Sequence, residues 1–338
     1  MEIKLNTLTP IWTGGVDGTA DRLHATGLIG SLRWWYEVVV RGLGGWACDP
    51  SEHSCIYDSA KGLPSICDVC QIFGTTGWAR RFRLTVTQQQ KTNGISGTRQ
   101  PDGQRFKRNN QSDRPNWYYK SGGFISATLD VTKLHAEFDA ILILGLLKLL
   151  ERQATLGAKP QMGYGIIKVE DQEQFEIDKF TEAIKLTTGN PIALNKPNLE
   201  NLFFAEIELA QEDNPITPLL NLKYDLRAAF RAKPSRLNRD EQKQLRHFVC
   251  GTVKDERMAS KIAISQLING KLRVWGWIPH SLPVQGTSRE EVVALIYTTI
   301  QSFGQVTKWR ELASVRDTSG LIEPLEFLKS LLRESTNQ

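Results

Sequence analysis

The stretch Cys67-Asp68-Val69-Cys70-Gln71-Ile72-Phe73-Gly74-Thr75-Thr76-Gly77-Trp78-Ala79-Arg80-Arg81-Phe82-Arg83-Leu84-Thr85-Val86 carries three signals in order. Its Cys-x-x-Cys pair can hold a metal. Gly74 and Gly77 mark a turn. Its end alternates, with Phe82, Leu84 and Val86 on one face and Arg81, Arg83 and Thr85 on the other. Alternation with a period of two is the pattern of a half-buried strand. The strand therefore predicts a core on one side, with Arg81 and Arg83 facing away from it.

Working upstream, Ile3 to Leu8 reads as a first strand ended near Pro10, and Trp12-Thr13-Gly14-Gly15 as a turn. Leu28 to Leu43 is an amphipathic helix, because Leu28, Leu32, Trp35, Val39 and Leu43 recur at helical spacing. Arg33, Glu37 and Arg41 form a stripe on its other side. Trp34 lies near that stripe, as a second packing contact or as a surface for RNA or a neighbouring subunit. Between helix and strand come Cys48, His53, Cys55, Cys67 and Cys70. Zinc takes four tetrahedral thiolate or imidazole ligands, so Cys48, Cys55, Cys67 and Cys70 are expected to hold a structural zinc, with His53 able to replace either of the first two. Free buried thiols are the alternative. The His-Glu-x-x-His and His-x-Glu patterns of catalytic zinc are absent.

Downstream, Thr87 to Gly122 is rich in Gln, Asn, Gly, Ser and charge. Arg105, Lys107 and Arg108 belong to its basic core, and Phe106, Trp117, Tyr118 and Tyr119 are interleaved. Cations neutralise phosphates and flat rings stack on unpaired bases, so this segment reads as a nucleic-acid arm; a solvated insertion is the alternative. Phe124 to Val131 is another strand and Leu134 to Ala154 an apolar core helix. A glycine loop, Leu156 to Gly165, then feeds the strand ending at Val169. Glycine lets backbone N–H groups approach a phosphate closely. Strand, helix, strand, excursion, strand, helix, strand is the split β-α-β order of ferredoxin-like domains, whose uncovered sheet face serves RNA-recognition modules.

A second unit follows a linker at Pro191 to Glu200. It has a strand at Leu202 to Leu209, a helix from Leu219 to Arg231, and an alternating strand from Met258 to Ser265. A hairpin follows through Asn269-Gly270, then helices at Arg289 to Phe303 and Glu323 to Arg333. The halves echo one another: Leu32-Arg33 matches Leu226-Arg227, and Phe73-Gly74 matches Cys250-Gly251. The longer interval in the first half houses the cysteines. With no second Gly-x-Gly loop, the second half is expected to have a weaker nucleic-acid role. The fold class is α+β, two tandem ferredoxin-like domains at 1–190 and 191–338.

The 338 residues carry 40% hydrophobic and 23% charged side chains and a formal net charge of +5. That suits a folded protein of two domains. No apolar run reaches the roughly 18–20 residues of a membrane span. The first residues read as a strand, not a signal peptide, and clustered cysteines favour metal over disulfides, so a cytoplasmic location is expected.

Four segments taken together resemble the repeat-associated (RAMP) superfamily: Leu8 to Gly15, Ile29 to Tyr36, Cys67-x-x-Cys70-x-Ile72-Phe73-Gly74, and Gly157 to Gly165. Within it the likeness is to the first-subunit family of the Cmr complex, the type III-B CRISPR effector of antiviral defence. The resemblance implies two ferredoxin-like domains and a place near one end of a ribonucleoprotein beside other RAMP subunits. It implies contact with guide (CRISPR) RNA, target RNA or both, with the backbone touched by the glycine loop at Gly157, Lys159, Gln161, Gly163 and Gly165. Arg33, Arg41, Arg81, Arg83, Arg105, Lys107 and Arg108 complete the candidate RNA contacts. Cleavage in such complexes is assigned to other subunits, so no catalytic residue is expected. The alternatives are a metal-independent guide-RNA-processing endoribonuclease using His24 and a structural end-cap touching only protein.

Overall fold

The computed structural model describes residues 1–102, 115–170, 175–187, 195–210, 214–253 and 256–333. The leading half contains β1 (Glu2–Ile11), α1 (Ala25–Gly42), α2 (Asp68–Phe73), β2 (Phe82–Lys91), β3 (Gly97–Arg99), β4 (Trp117–Tyr119), β5 (Phe124–Lys133), α3 (Ile141–Gln153), β6 (Ile167–Glu170) and α4 (Ile177–Ala183). Its antiparallel sheet runs β2-β5-β1-β6, with the first and third long strands central. That is the ferredoxin-like order which the sequence predicts. Alternation decides the faces: Ile3 and Leu5 are buried while Lys4 and Asn6 are exposed. β1 passes beyond the expected stop at Pro10. Proline lacks an N–H, and it sits where the β1–β5 ladder shifts register between Asn6 and Ile11. The second helix starts later than its apolar run. β5 continues to Lys133, opposite Phe82, and the Asp139 carboxylate accepts the Ile141 N–H at 2.9 Å where α3 begins.

The trailing half contains β7 (Leu202–Glu208), α5 (Thr217–Ala232), α6 (Arg239–Cys250), β8 (Ile262–Ile264), β9 (Lys271–Trp277), α7 (Arg289–Phe303), β10 (Gln305–Arg310) and α8 (Pro324–Leu332). Its sheet order, β10-β7-β9-β8, repeats the first. The β8–β9 hairpin turns at Asn269 and Gly270, both at positive φ (50° and 75°) as a type I′ turn requires. Helix α6 occupies a stretch to which the sequence pattern assigns no element. Asn238 and Glu241 close a capping box at its start, and its buried contacts are sparse, at Leu245, Val249 and Cys250. The alternating run from Met258 narrows to three strand residues.

The halves stack as layers. α1 and α3 cover one face of the first sheet and also lie on the second. Trp35 of α1 stacks on Phe204 of β7 (6.3 Å between centroids) and packs on Trp275 of β9 (5.1 Å). Arg273 of β9 donates to the carbonyls of Glu151 and Ala154 at the end of α3 (2.9 and 3.1 Å). α8 returns to α3, where Gln153 donates to the Leu331 carbonyl at 2.6 Å. The second sheet is buried on both faces, with Phe204 and Trp275 against α1 on one side and Phe203 and Val274 fully buried on the other. The first keeps an outer face carrying Lys4, Arg83 and Lys168 together with Glu2, Asp130 and Glu170.

Candidate metal centre and nucleic-acid interface

The sulfur atoms of Cys48, Cys55, Cys67 and Cys70 all lie within 4.8 Å of one another. A tetrahedral ion with bonds of about 2.3 Å sets its ligands roughly 3.8 Å apart, so the cluster has the dimensions of such a site. Cys48 Sγ and Cys70 Sγ are 3.6 Å apart. Cys67 caps α2 by accepting the Cys70 N–H, and Cys55 accepts the Cys67 N–H, each at 3.4 Å. N–H donors aimed at sulfur favour thiolate. Hydrogen bonds shared with Cys67 and Cys70 pull Cys48 towards thiolate, the same sharing raises Cys67, and burial pushes Cys55 up to about 11. Four thiolates this close need a cation among them. His53 is exposed and outside the set. The cysteines can therefore hold a metal ion, as their spacing predicts.

Arg33 ties this cluster to α1. Its Nη2 lies 3.1 Å from Cys70 Sγ and 3.7 Å from Cys48 Sγ, its Nη1 donates to the Gly74 carbonyl at 2.9 Å, and its Nε meets Glu37 at 3.0 Å. Burial works against its charge, but the Cys70 sulfur and Glu37 hold it firmly protonated. The trailing half repeats the latch, since Arg227 donates to the Gly251 carbonyl at 2.9 Å. The sequence echo between the halves is thus one three-dimensional device used twice. The polar stripe on α1 points inward. Glu37 and Arg41 are 5% and 3% exposed, and Arg41 donates to Glu37 and to the carbonyls of Ala47, Cys48 and Pro197. Arg81 is buried with its Nη1 3.1 Å from Glu137, while Arg83 is exposed. Arg105, Lys107 and Arg108 lie outside the described residues.

The glycine loop is a joint as well as a surface. Gly165 donates to the Pro10 carbonyl (3.0 Å) and its own carbonyl accepts from Leu156 (2.8 Å). The Gly163 carbonyl accepts from Gln266, and the Gln161 carbonyl from Lys223 at 2.8 Å, both in the trailing half. Gly157 and Lys159 reach the surface. Lys159, itself at positive φ (61°), places Nζ 3.3 Å from the Trp12 ring centroid. Burial and the neighbouring Lys120 bring it down to about 8. Lys120 and Arg22 are exposed nearby in the fold, Lys120 donating to the Gly18 carbonyl at 3.2 Å.

Beside the loop, a cleft of about 350 Å³ opens between the halves, with Trp34, Trp35, Trp275, Trp277, Gln161 and Lys261 in its wall. Of the two roles expected for Trp34, a second packing contact or a surface for RNA or a neighbouring subunit, the structure shows the packing contact. It packs edge-on to Trp35 (4.9 Å) and lines the cleft. The Trp12–Lys159 contact and the cleft join residues far apart in the chain, so no local pattern announces them. His24, where α1 begins, has Nε2 2.8 Å from Asp21 Oδ1, a partner not evident from spacing. Among the described residues no helix is long and apolar enough to cross a membrane.

A doubled ferredoxin-like unit, latched by arginine and carrying a thiol cluster and a glycine loop, defines the class. The family model of the RAMP superfamily matches residues 4–168, within the leading half of the chain. Among solved structures, the chain is similar to Cmr1 from Pyrococcus furiosus in its apo form, with 17% identity, a TM-score of 0.46, and coverage of 90% of this chain and 97% of that one. It is also similar to a chain of the type III-B Cmr-beta complex bound to cognate target RNA and AMPPnP in the presence of ssDNA (12%, 0.46, 90% and 99%). A third likeness is to a chain of Cmr-beta bound to cognate target RNA (11%, 0.45, 88% and 99%). No curated protein matches the chain.

Proposed function

We propose that this chain is a non-catalytic RNA-binding and assembly subunit of a type III-B CRISPR effector, working in the cytoplasm beside other RAMP subunits. It holds guide RNA, target RNA or both, while base pairing supplies the sequence selection. The family match to the leading half and the four motifs support the class. The observation that carries RNA binding is the surface formed by Gly157, Lys159 and Lys120, where cations and positive-φ backbone meet beside an aromatic cleft, with Lys159 seated on the buried Trp12 ring. The outer face of the first sheet balances its charges and offers less to a polyanion. A structural zinc at Cys48, Cys55, Cys67 and Cys70 would brace the connection from α1 to β2, a role that suits four sulfur ligands and leaves no open coordination position.

Binding of a single-stranded RNA to the purified chain, followed across a salt series, tests this reading. Each phosphate neutralised on a single strand contributes about 0.7 to the slope of log affinity against log salt. A steep negative slope that flattens in Lys159→Ala and Lys120→Ala is expected, and an affinity indifferent to salt would overturn it. The His24–Asp21 pair favours a second reading, the metal-independent endoribonuclease. Cleavage of labelled repeat RNA that disappears in His24→Ala would establish that reading instead.

A further inference from the structure

Resting on the RNA-binding reading, we infer that Arg227, Arg231 and Arg246 on α5 and α6 form a second phosphate-binding site, so that the RNA strand crosses from the leading half onto the trailing one. Arg33 and Arg227 are equivalent, each latching the carbonyl of the glycine that lies before the second strand of its sheet, β2 in one half and β8 in the other. One helical turn further on, however, the leading half has Glu37 and the trailing half has Arg231. In the leading half the cationic charge is met internally, by Glu37 and by the cysteine sulfurs. The trailing half has lost both compensations. Arg227 is left with the neutral carbonyls of Cys250 and Gly251 at the end of α6.

Nothing described replaces the missing anion. Nearby Arg236 pairs with Glu291, but among the described residues none of Arg227, Arg231 and Arg246 forms an ion pair. The Nε of Arg246 is buried and has no hydrogen-bond partner. Burial, and then the charges of Arg231 and Arg227, press the Arg246 guanidinium towards its neutral form. Held together without a counter-charge, three guanidinium groups repel one another, and an incoming anion relieves that repulsion.

The surroundings favour an RNA phosphodiester as that anion. α5 lies against both RNA-facing segments of the leading half. Lys223, one turn before Arg227, donates to Gln161 of the glycine loop at 2.8 Å and sits 5.3 Å from the Trp117 ring. Asn221 accepts the Asp102 N–H at 2.7 Å, at the root of the basic arm. Planar guanidinium forks suit phosphate oxygens. A strand leaving the glycine loop therefore meets this cluster next.

The test compares wild type, Arg231→Gln, Arg231→Gln with Arg246→Gln, and Lys159→Ala for single-stranded RNA affinity across a salt series, with thermal unfolding recorded in parallel. Arg231 is exposed, so its single variant folds whatever the double variant does. The expected result is a slope flattened by about 0.7 in the single variant and about 1.4 in the double, with RNA-free melting temperatures equal or higher because repulsion is relieved. If both variants keep the wild-type slope while Lys159→Ala flattens it, this inference fails and the RNA-binding reading stands. The inference is likewise overturned if RNA binding is kept and association with an acidic protein subunit is lost instead. If wild type binds no RNA at any salt, the underlying reading fails first.

Discussion

Gly165→Ala separates a glycine that shapes the loop from one that touches RNA. Gly165 has φ of 89°, and a Cβ built there would stand 2.2 Å from the Leu156 carbonyl oxygen. Alanine resists the left-handed region by about 1–3 kcal/mol. The oxygen has to retreat by roughly 1 Å to a normal contact distance, straining the Leu156–Gly165 bond at 2.8 Å and the Gly165–Pro10 bond at 3.0 Å. Losing both removes about 1 kcal/mol each in net terms. The total, about 3–5 kcal/mol, is a large part of a typical domain stability of about 5–15 kcal/mol. A melting temperature lower by roughly 10 °C is expected in thermal unfolding. Well below that temperature, RNA affinity should change by less than about threefold, because the proposed contact is elsewhere in the loop, at Gly157 and Lys159. Lys159→Ala should do the converse, keeping the melting temperature and weakening RNA. If Gly165→Ala melts like wild type yet loses RNA, the placement of Gly165 as an internal joint is wrong.

Elemental analysis of protein purified without chelator should find close to one zinc per chain, and Cys70→Ser should lower both metal content and stability; less than half an equivalent in wild type would sink the ligand assignment. Acidification should release the metal, since protons compete for the thiolates. Glu37→Ala leaves Arg41 buried without its carboxylate and should cost about 3 kcal/mol in denaturant unfolding; an unchanged midpoint would refute the buried pair. Lys159 sits near 8 in the folded chain against about 10.4 for a free lysine, so it sheds its proton as pH rises from 7 to 9. RNA affinity should fall across that window and Lys159→Arg should abolish the fall. RNA-free stability should move the other way, because the unfolded chain then binds more protons than the folded one.

Much of this architecture is legible in the chain. The alternation of Phe82, Leu84 and Val86, the Asn269-Gly270 turn and the apolar run of α3 are local signals, and local signals fix elements. Pairing of the two arginine–glycine echoes also reads correctly, because a duplicated latch leaves a duplicated pattern. The stripe of Arg33, Glu37 and Arg41 misleads for an instructive reason. Helical spacing shows that these residues share a face, but not that a cysteine-bearing excursion folds over that face and supplies sulfur and carbonyl partners. The same limit hides the cleft, whose tryptophans come from α1 and β9. Helix α6 escapes notice because its cap is clear but its buried face is narrow.

Ultraviolet cross-linking of a single-stranded RNA to the chain, followed by mapping of the modified peptides, probes the central claim most directly. The account predicts adducts on peptides containing the segment Gly157 to Gln161 and Trp117 to Lys120. Adducts confined to Lys4, Arg83 and Lys168 on the outer face of the first sheet would contradict it.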